Sequence, residues 1–285
     1  MRILLTGANG QLGRCLQDRV PKEWELWATD SSVLDITDAD AVSQAVSSYK
    51  PDVVVNAAAY TAVDKAESEP ELATLINVFG PKNLAWESQK VGARFIHVST
   101  DYVFDGKSNK PYVETDITCP LGVYGKTKRD GELAVLNTGA DAIIIRTAWV
   151  FSEYGNNFVK TMLRLGRSKE SLAIVSDQRG CPTYAGDIAD AIIDLLIKKA
   201  EPGIYHYCGD KEVSWFEFAE EIFSAASEFE SSYKIPKINA ILSEQYPTPA
   251  ARPMYSSLNC DKINAYDIFE SCWNIQLSNI IKKIL

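Results

Sequence analysis

Histidine is nearly missing from this chain. Only His97 and His206 occur in 285 residues, each inside an apolar, strand-like stretch, RFIHVS and GIYHYC. That scarcity argues against a histidine-built zinc site and against a Ser-His-Asp triad. Cysteine pairs at metal or redox spacing are missing too: Cys15, Cys119, Cys181, Cys208, Cys260 and Cys272 are scattered without a CxxC. Free thiols and no resident metal are therefore expected. No run approaches the roughly 20 apolar residues of a membrane span, and the first residues lack the basic stretch and apolar run of an export signal. A cytoplasmic protein with no membrane partner is the expectation. An excess of positive charge is also absent. With 29 Lys and Arg against 38 Asp and Glu the formal net charge is -9, and such a surface on average repels nucleic acid. A phosphate-bearing small molecule stays open, because local amides or a few arginines override a weak global field.

What is present is ordinary for a folded protein: 46% hydrophobic and 24% charged residues, in a chain long enough for one large domain with an appended lobe. Short apolar stretches alternate with longer amphipathic ones: RILLT, then 11–20; WELWAT, then 38–49; DVVVNAAA, then 70–92; RFIHVST, then 124–136; AIIIRTAWV. This rhythm predicts an α/β fold, a doubly wound parallel sheet of Rossmann type covered by helices on both faces. Beyond Trp149 the rhythm changes. GNNFVKTMLRLGR reads as a helix, SLAIVSDQ as extended and GDIADAIIDLLIKKA as a strong amphipathic helix. The expected division is a dinucleotide-binding domain over 1–148 and a smaller C-terminal α/β lobe, mainly substrate-binding, over 149–285. The helix at 186–200 is expected to pack back on the first domain.

TGANGQLG, residues 6–13, follows the first strand and opens the first helix. In that context Gly7 permits a tight turn, Gly10 lets a pyrophosphate approach the backbone beside Gln11 and Leu12, and Gly13 lets helix and strand pack closely. The helix N-terminus then meets phosphate charge. Asp30, about twenty residues on at the end of the second strand, is placed to bind adenosine ribose hydroxyls and favours NADH. Arg14, Ser31 and Ser32 could still accommodate the 2′-phosphate of NADPH, so both cofactors stay open. Asp35 and Ile36 are placed to flank an adenine. Ala57, Ala58 and Ala59, followed by Tyr60 and Thr61, put small residues at a strand end where bulk would block a dinucleotide.

Tyr124 and Lys128 are spaced Y-x-x-x-K, one helical face, so an ammonium can sit near a phenol and draw its pKa below the free value of about 10. VSTDYVFDG upstream puts Ser99, Thr100 and Asp101 at the end of the fourth strand, where ligands bind in such sheets.

The glycine turn, NAAAYT, STDYVF and YGKTK, in this order and spacing, resemble the extended short-chain dehydrogenase/reductase family. DKAESEP, RTAWVF, GNNFVKTM, DQRGCPT and ARP add a similarity to its dTDP-4-dehydrorhamnose reductase branch, over nearly the whole chain. The resemblance implies NADPH- or NADH-dependent reduction of the C4 keto group of a dTDP-sugar, dTDP-4-dehydro-6-deoxy-L-mannose, to dTDP-L-rhamnose. It implies that Tyr124 protonates the C4 oxygen, Lys128 holds the nicotinamide ribose and lowers the phenol pKa, and Thr100 hydrogen-bonds the substrate oxygen. Asp101, Tyr102 and Trp149 would line the sugar pocket, with Asn157 and Arg252 toward nucleotide and diphosphate. Dehydratases of the superfamily carry Thr-Asp-Glu where this chain has Thr100-Asp101-Tyr102. The missing carboxylate favours reduction over elimination of water. Some reductases of this type dimerise around magnesium, but the matching positions here are Cys15 and Asn274, poor ligands for that ion. A monomer or weak dimer without a metal bridge is expected. Two alternatives remain: a non-catalytic regulatory subunit resembling the methionine adenosyltransferase beta subunit, and another nucleotide-sugar epimerase or reductase.

Overall fold

The computed structural model describes residues 1–285. In chain order its first half runs β1 (Arg2–Thr6), α1 (Gln11–Arg19), β2 (Glu25–Thr29), α2 (Ala39–Tyr49), β3 (Val53–Asn56), α3 (Val63–Ala66), α4 (Pro70–Thr74), α5 (Gly80–Val91), β4 (Arg94–Thr100), α6 (Val123–Leu136) and β5 (Ala142–Thr147). The second half runs β6 (Val150–Phe151), α7 (Phe158–Ser168), β7 (Ser171–Val175), β8 (Arg179–Gly180), β9 (Thr183–Tyr184), α8 (Ala185–Ile197), β10 (Gly203–His206), β11 (Val213–Ser214), α9 (Trp215–Phe229), β12 (Lys237–Ile241), α10 (Asp261–Asn264) and α11 (Trp273–Ile284).

Six strands form one parallel sheet in the order β10-β5-β4-β3-β1-β2. The chain moves outward from β1 to β2, then returns to place β3 on the other side of β1. That reversal leaves a crevice at the carboxyl ends of β1 and β3, where ligands bind in open α/β sheets. Alternation decides which side chains face which layer. Ile3 and Leu5 join Val53, Val55, Ile96 and Ile143 under α1 and α8, while Leu4, Val54, Phe95 and Ile144 pack under α2, α5 and α6. Both faces are covered, so the central strands are apolar on both sides over most of their length and turn polar toward their carboxyl ends, and the doubly wound expectation holds. A second core is built mainly from α7, α9 and α11, around Phe218, Ile222, Phe223, Leu277 and Ile280. After α7 the chain re-enters the first core twice: α8 lies against α1, and β10 follows as the sheet's sixth strand.

Two segments depart from their sequence-based reading. The stretch 70–92 is not one helix, because a π-helical turn over Leu75–Phe79 separates α4 from α5. Pro81 has no N–H to donate and its ring opposes the Asn77 carbonyl, so the helix widens there. The widened turn turns Asn77 inward, where its side chain accepts from the Tyr60 amide (2.8 Å) and donates to the Tyr60 carbonyl and the Thr127 hydroxyl (both 3.1 Å). Asn77 thereby ties the loop after β3 to α6. The stretch AIIIRTAWV is likewise two strands, since Trp149 adopts a left-handed φ of +46° that turns the chain away from the sheet after β5.

A buried ion pair fixes α6 on the sheet. Arg146 of β5 donates to both carboxylate oxygens of Glu132 (2.9 and 2.7 Å), and Ser99 of β4 donates to the same carboxylate (2.5 Å). A bidentate pair with its remaining lone pairs used survives burial, but removing one partner strands a charge. Glu132→Gln is expected to lower unfolding stability by about 3–5 kcal/mol. Asp38→Ala, which removes an exposed helix cap bonded to the amides of Asp40 and Ala41, is expected to cost about 1 kcal/mol. Urea denaturation of the two variants checks the ranking, and equal losses would contradict it.

Candidate functional site

At the carboxyl edge of the sheet two cavities adjoin, sharing Gly10, Ala57 and Ala59 as common wall. The first, about 460 Å³, is bounded by Gly7, Asp30, Asp35, Ile36 and the three alanines Ala57, Ala58 and Ala59. The second, about 750 Å³, runs over Gln11, Leu12, Thr61, Thr100, Asp101, Tyr102, Tyr124, Lys128 and Trp149. Gly13, Tyr60, Asn157 and Arg252 line neither.

The glycine turn is built by steric necessity. Gly7 has φ +77°, and a Cβ on it would come within 2.5 Å of the Ala57–Ala58 backbone. A Cβ on Gly13 would strike the Gly7 carbonyl, so α1 starts hard against β1 and aims its N-terminus into the space between the cavities. Gly10 meets nothing closer than 3.3 Å; its want of a side chain serves whatever approaches from the cavity. This is a cradle a dinucleotide pyrophosphate fits.

Asp30 accepts from the amide (2.9 Å) and hydroxyl (2.6 Å) of Ser32 and from the Asn9 side chain. The Ser32 hydroxyl bond foremost holds its carboxyl below the ordinary range. Arg14 reaches the same corner by donating to Asn9 (3.1 Å). A carboxylate and a guanidinium therefore meet through one asparagine, an arrangement able to address either a ribose hydroxyl or a 2′-phosphate. Asp35 folds back on the amide and hydroxyl of Thr37 (2.9 and 2.8 Å). Ile36 is buried beneath Gly80, where a Cβ would come within 2.5 Å of its side chain.

In the larger cavity the end of β4 and α6 present the titratable side chains Asp101, Tyr124 and Lys128. The Lys128 ammonium is buried and donates to the Val98 carbonyl (2.7 Å). Burial lowers its pKa to about 8, and the Glu132 carboxylate one turn on acts in the opposite sense. The tyrosine departs from expectation. Its phenol is pushed up to about 12 by burial, with the Thr100 hydroxyl pulling it down and Asp101 adding to the rise. Lys128 is engaged with the strand carbonyl and does not draw the phenol below its free value. A phenol at that value is wholly protonated at neutral pH, the state a proton donor to a ketone requires.

Thr100 donates to Asp101 (2.9 Å), whose second oxygen is buried without a hydrogen-bond partner. Burial pushes this carboxyl up to about 6, while the nearby Ser256 and Thr100 hydroxyls lower it. Tyr102 packs edge-on against Tyr124, ring centroids 5.6 Å apart. The four residues outside the cavities brace the walls. Asn157 caps α7 by accepting from the Lys160 amide (3.1 Å) and donates to Gln11 (2.9 Å), joining the glycine turn to a helix of the second core. Arg252 is held bidentate by Asp64 (3.1 and 2.8 Å), and the Tyr60 hydroxyl donates to Glu69 (2.6 Å). Trp215, Phe158 and Phe218, absent from the sequence-based reading, complete an aromatic wall. Nothing local in SWFEF marks Trp215 as facing a site formed from the other half of the chain.

His97 and His206 are both buried with pKa values held down by burial, and no group of three or more His, Cys, Asp or Glu side chains is arranged to hold a metal ion.

The chain matches the family model described as RmlD substrate binding domain over residues 1–285. It is 47% identical over 287 aligned residues to the dTDP-4-dehydrorhamnose reductase of Aggregatibacter actinomycetemcomitans, covering 98% of each chain. Among solved structures, a dTDP-4-dehydrorhamnose reductase from Clostridium acetobutylicum superposes with TM-score 0.93 at 41% identity, over 100% of this chain and 99% of that one. The Bacillus anthracis dTDP-4-dehydrorhamnose reductase in complex with NADP superposes with TM-score 0.93 at 38% identity, over 99% of both chains.

A carboxyl whose folded pKa lies above its ordinary value makes the folded state bind more protons between the two values, so its contribution to stability falls as pH rises through that window. The stability of Asp101→Asn relative to the wild type is therefore expected to rise between about pH 4 and about pH 6 and to level off above that. Urea midpoints from about pH 4 to about pH 7 check it, and a pH-independent difference would count against a raised carboxyl at Asp101.

Proposed function

The chain belongs to the RmlD substrate binding domain family, and from that membership we propose that it is a nicotinamide-dependent oxidoreductase that reduces the C4 keto group of dTDP-4-dehydro-6-deoxy-L-mannose to give dTDP-L-rhamnose. The observation that carries the reading is the convergence of Thr100, Tyr124 and Lys128 on one cavity that opens directly onto the glycine turn.

Asp30, Asp35 and Ile36 hold the adenosine end of NADPH or NADH, the Gly10–Leu12 turn its pyrophosphate, and Lys128 its nicotinamide ribose. The bound cofactor supplies hydride. Tyr124, kept protonated by its burial, delivers a proton to the C4 oxygen. With substrate bound the Thr100 hydroxyl turns from Asp101 to donate to that oxygen and fixes it within reach of the phenol, and the buried Lys128 ammonium steadies the charge that the phenol acquires as its proton leaves. Asp101, with one carboxylate oxygen unpartnered, accepts from a sugar hydroxyl, and Tyr102 and Trp149 close the apolar sides of the ring. Arg252 and Asn157 support the diphosphate end. Tyr102 in the place of a second carboxylate leaves no acid/base pair for elimination of water.

No helix is long and apolar enough to cross a membrane, and all six cysteines are unpaired, which fits a reducing compartment; we place the enzyme in the cytoplasm. Cys15 is buried on the inner face of α1, its thiol pushed up to about 12 by burial, and Asn274 is neutral. Neither can serve a magnesium bridge, so a monomer or weak dimer is proposed.

Oxidation of NADPH and of NADH, followed at the nicotinamide absorbance with the 4-keto sugar nucleotide generated in situ, tests the activity. Tyr124→Phe is expected to lower turnover by about 10²–10⁴-fold while binding cofactor normally. A wild type that binds cofactor and oxidises neither would sink the catalytic reading. Light scattering with and without EDTA is expected to give one mass; an EDTA-sensitive dimer contradicts the metal-free assembly.

A further inference from the structure

Trp149 adopts a left-handed φ of +46°, a conformation that a bulky residue keeps only when its surroundings impose it. Its indole lies flat on that of Trp215, ring centroids 3.4 Å apart and planes within 4°. A second contact presses on the same ring: a Cβ on Gly180 would come within 2.6 Å of its Cε2 and Nε1 atoms. Both contacts come from one ribbon. β8 and β11 pair antiparallel, Gly180 opposite Val213 and Arg179 opposite Ser214, and Trp215 is the next residue, the first of α9. The ribbon is tied down at that point. Ser214 and Glu217 form a reciprocal cap, and Arg179 bonds both Glu212 (2.6 Å) and Glu217 (3.2 Å). Phe158 packs against Trp215 with centroids 4.7 Å apart. Trp149 itself touches both the sheet core and the second core.

We infer that Trp215, together with the bare backbone of Gly180, is a positioning residue that holds the Trp149 indole in the wall of the sugar cavity, so that the second lobe sets the shape of a pocket whose reactive groups belong to the first. This rests on the proposed reading that Trp149 meets the sugar. Trp215 touches the indole rather than the reacting atoms, so its loss acts on sugar binding and leaves the cofactor side alone. An aromatic pair beyond its area burial corresponds to about a three- to tenfold change in an equilibrium constant, and that is the expected rise in KM for the sugar nucleotide in Trp215→Ala. The KM for cofactor is expected to stay unchanged and kcat to change less than the sugar KM. Trp215→Phe, which keeps a flat ring, is expected to recover part of the loss, and Gly180→Ala to reproduce it from the other contact.

The experiment combines three readouts on the full chain. Far-ultraviolet circular dichroism is expected to show the exciton couplet of two stacked indoles, lost in Trp215→Phe and in Trp149→Phe but retained in Trp27→Phe. Calorimetric binding of dTDP-L-rhamnose is expected to weaken in Trp215→Ala by the same factor as KM rises. Cofactor binding serves as the check on folding. A wild-type couplet that survives in Trp215→Phe, unchanged sugar-nucleotide binding in Trp215→Ala, or an equal loss of cofactor and sugar affinity would each overturn the inference. Absence of turnover with intact dTDP-L-rhamnose binding would fail the reductase reading alone, whereas unchanged binding in Trp215→Ala would fail the positioning role alone.

Discussion

The approach of the glycine turn to the end of β3 is the constraint on which the rest depends. β1 leaves the sheet at Gly7 with its α-carbon almost against the Ala57 backbone, and α1 begins with Gly13 against the Gly7 carbonyl. Any side chain at either position would push α1 or β3 outward. The crevice at the strand reversal would then widen and the two cavities, which share Gly10 and Ala57, would no longer form one continuous trough. A ligand long enough to span them is thus matched by a gap whose width is set by backbone contact rather than by adjustable side chains.

Burial then sets the electrostatics of the reacting end. Lys128 and Asp101 are buried and Tyr124 half-buried at the same edge, and each shifts toward its neutral form: the phenol up to about 12, the carboxyl up to about 6 and the ammonium down to about 8. At Tyr124 desolvation dominates, while the Lys128 ammonium gives its hydrogen bond to the Val98 carbonyl. For the reduction proposed above this is no handicap, since a phenol that gives a proton to a ketone must begin protonated. Behind this trio the Glu132–Arg146 pair and Ser99 lock α6 to β4 and β5, which keeps Thr100 and Tyr124 in fixed relation.

Much of this was legible in the residues. Period-two burial along RILLT and DVVVN follows from backbone geometry, and the parallel sheet with helices on both faces follows from the alternation of short apolar and longer amphipathic stretches. Gly7 and Gly13 were legible because only glycine satisfies those contacts. The π turn at Leu75–Phe79 could have been suspected from Pro81, yet its use, turning Asn77 to hold Tyr60 and Thr127, depends on what lies nearby in space. The residue types of Asn157 and Arg252 suit phosphate and base, whereas their partners within the fold, the α7 cap for Asn157 and Asp64 for Arg252, have no local signature in the sequence.

The sequence by itself determined the order of strands and helices, the glycine cradle and the Tyr124–Lys128 face, because each is written in local periodicity or in the stereochemistry of a few adjacent residues. Only the tertiary structure decided that the phenol is raised rather than lowered, that β10 returns after α8 to pair with β5 as the sheet's sixth strand, and that Trp215 and Gly180 meet Trp149. Those outcomes depend on burial and on contacts between distant segments, and neither desolvation nor stacking exists until the chain has brought those segments together.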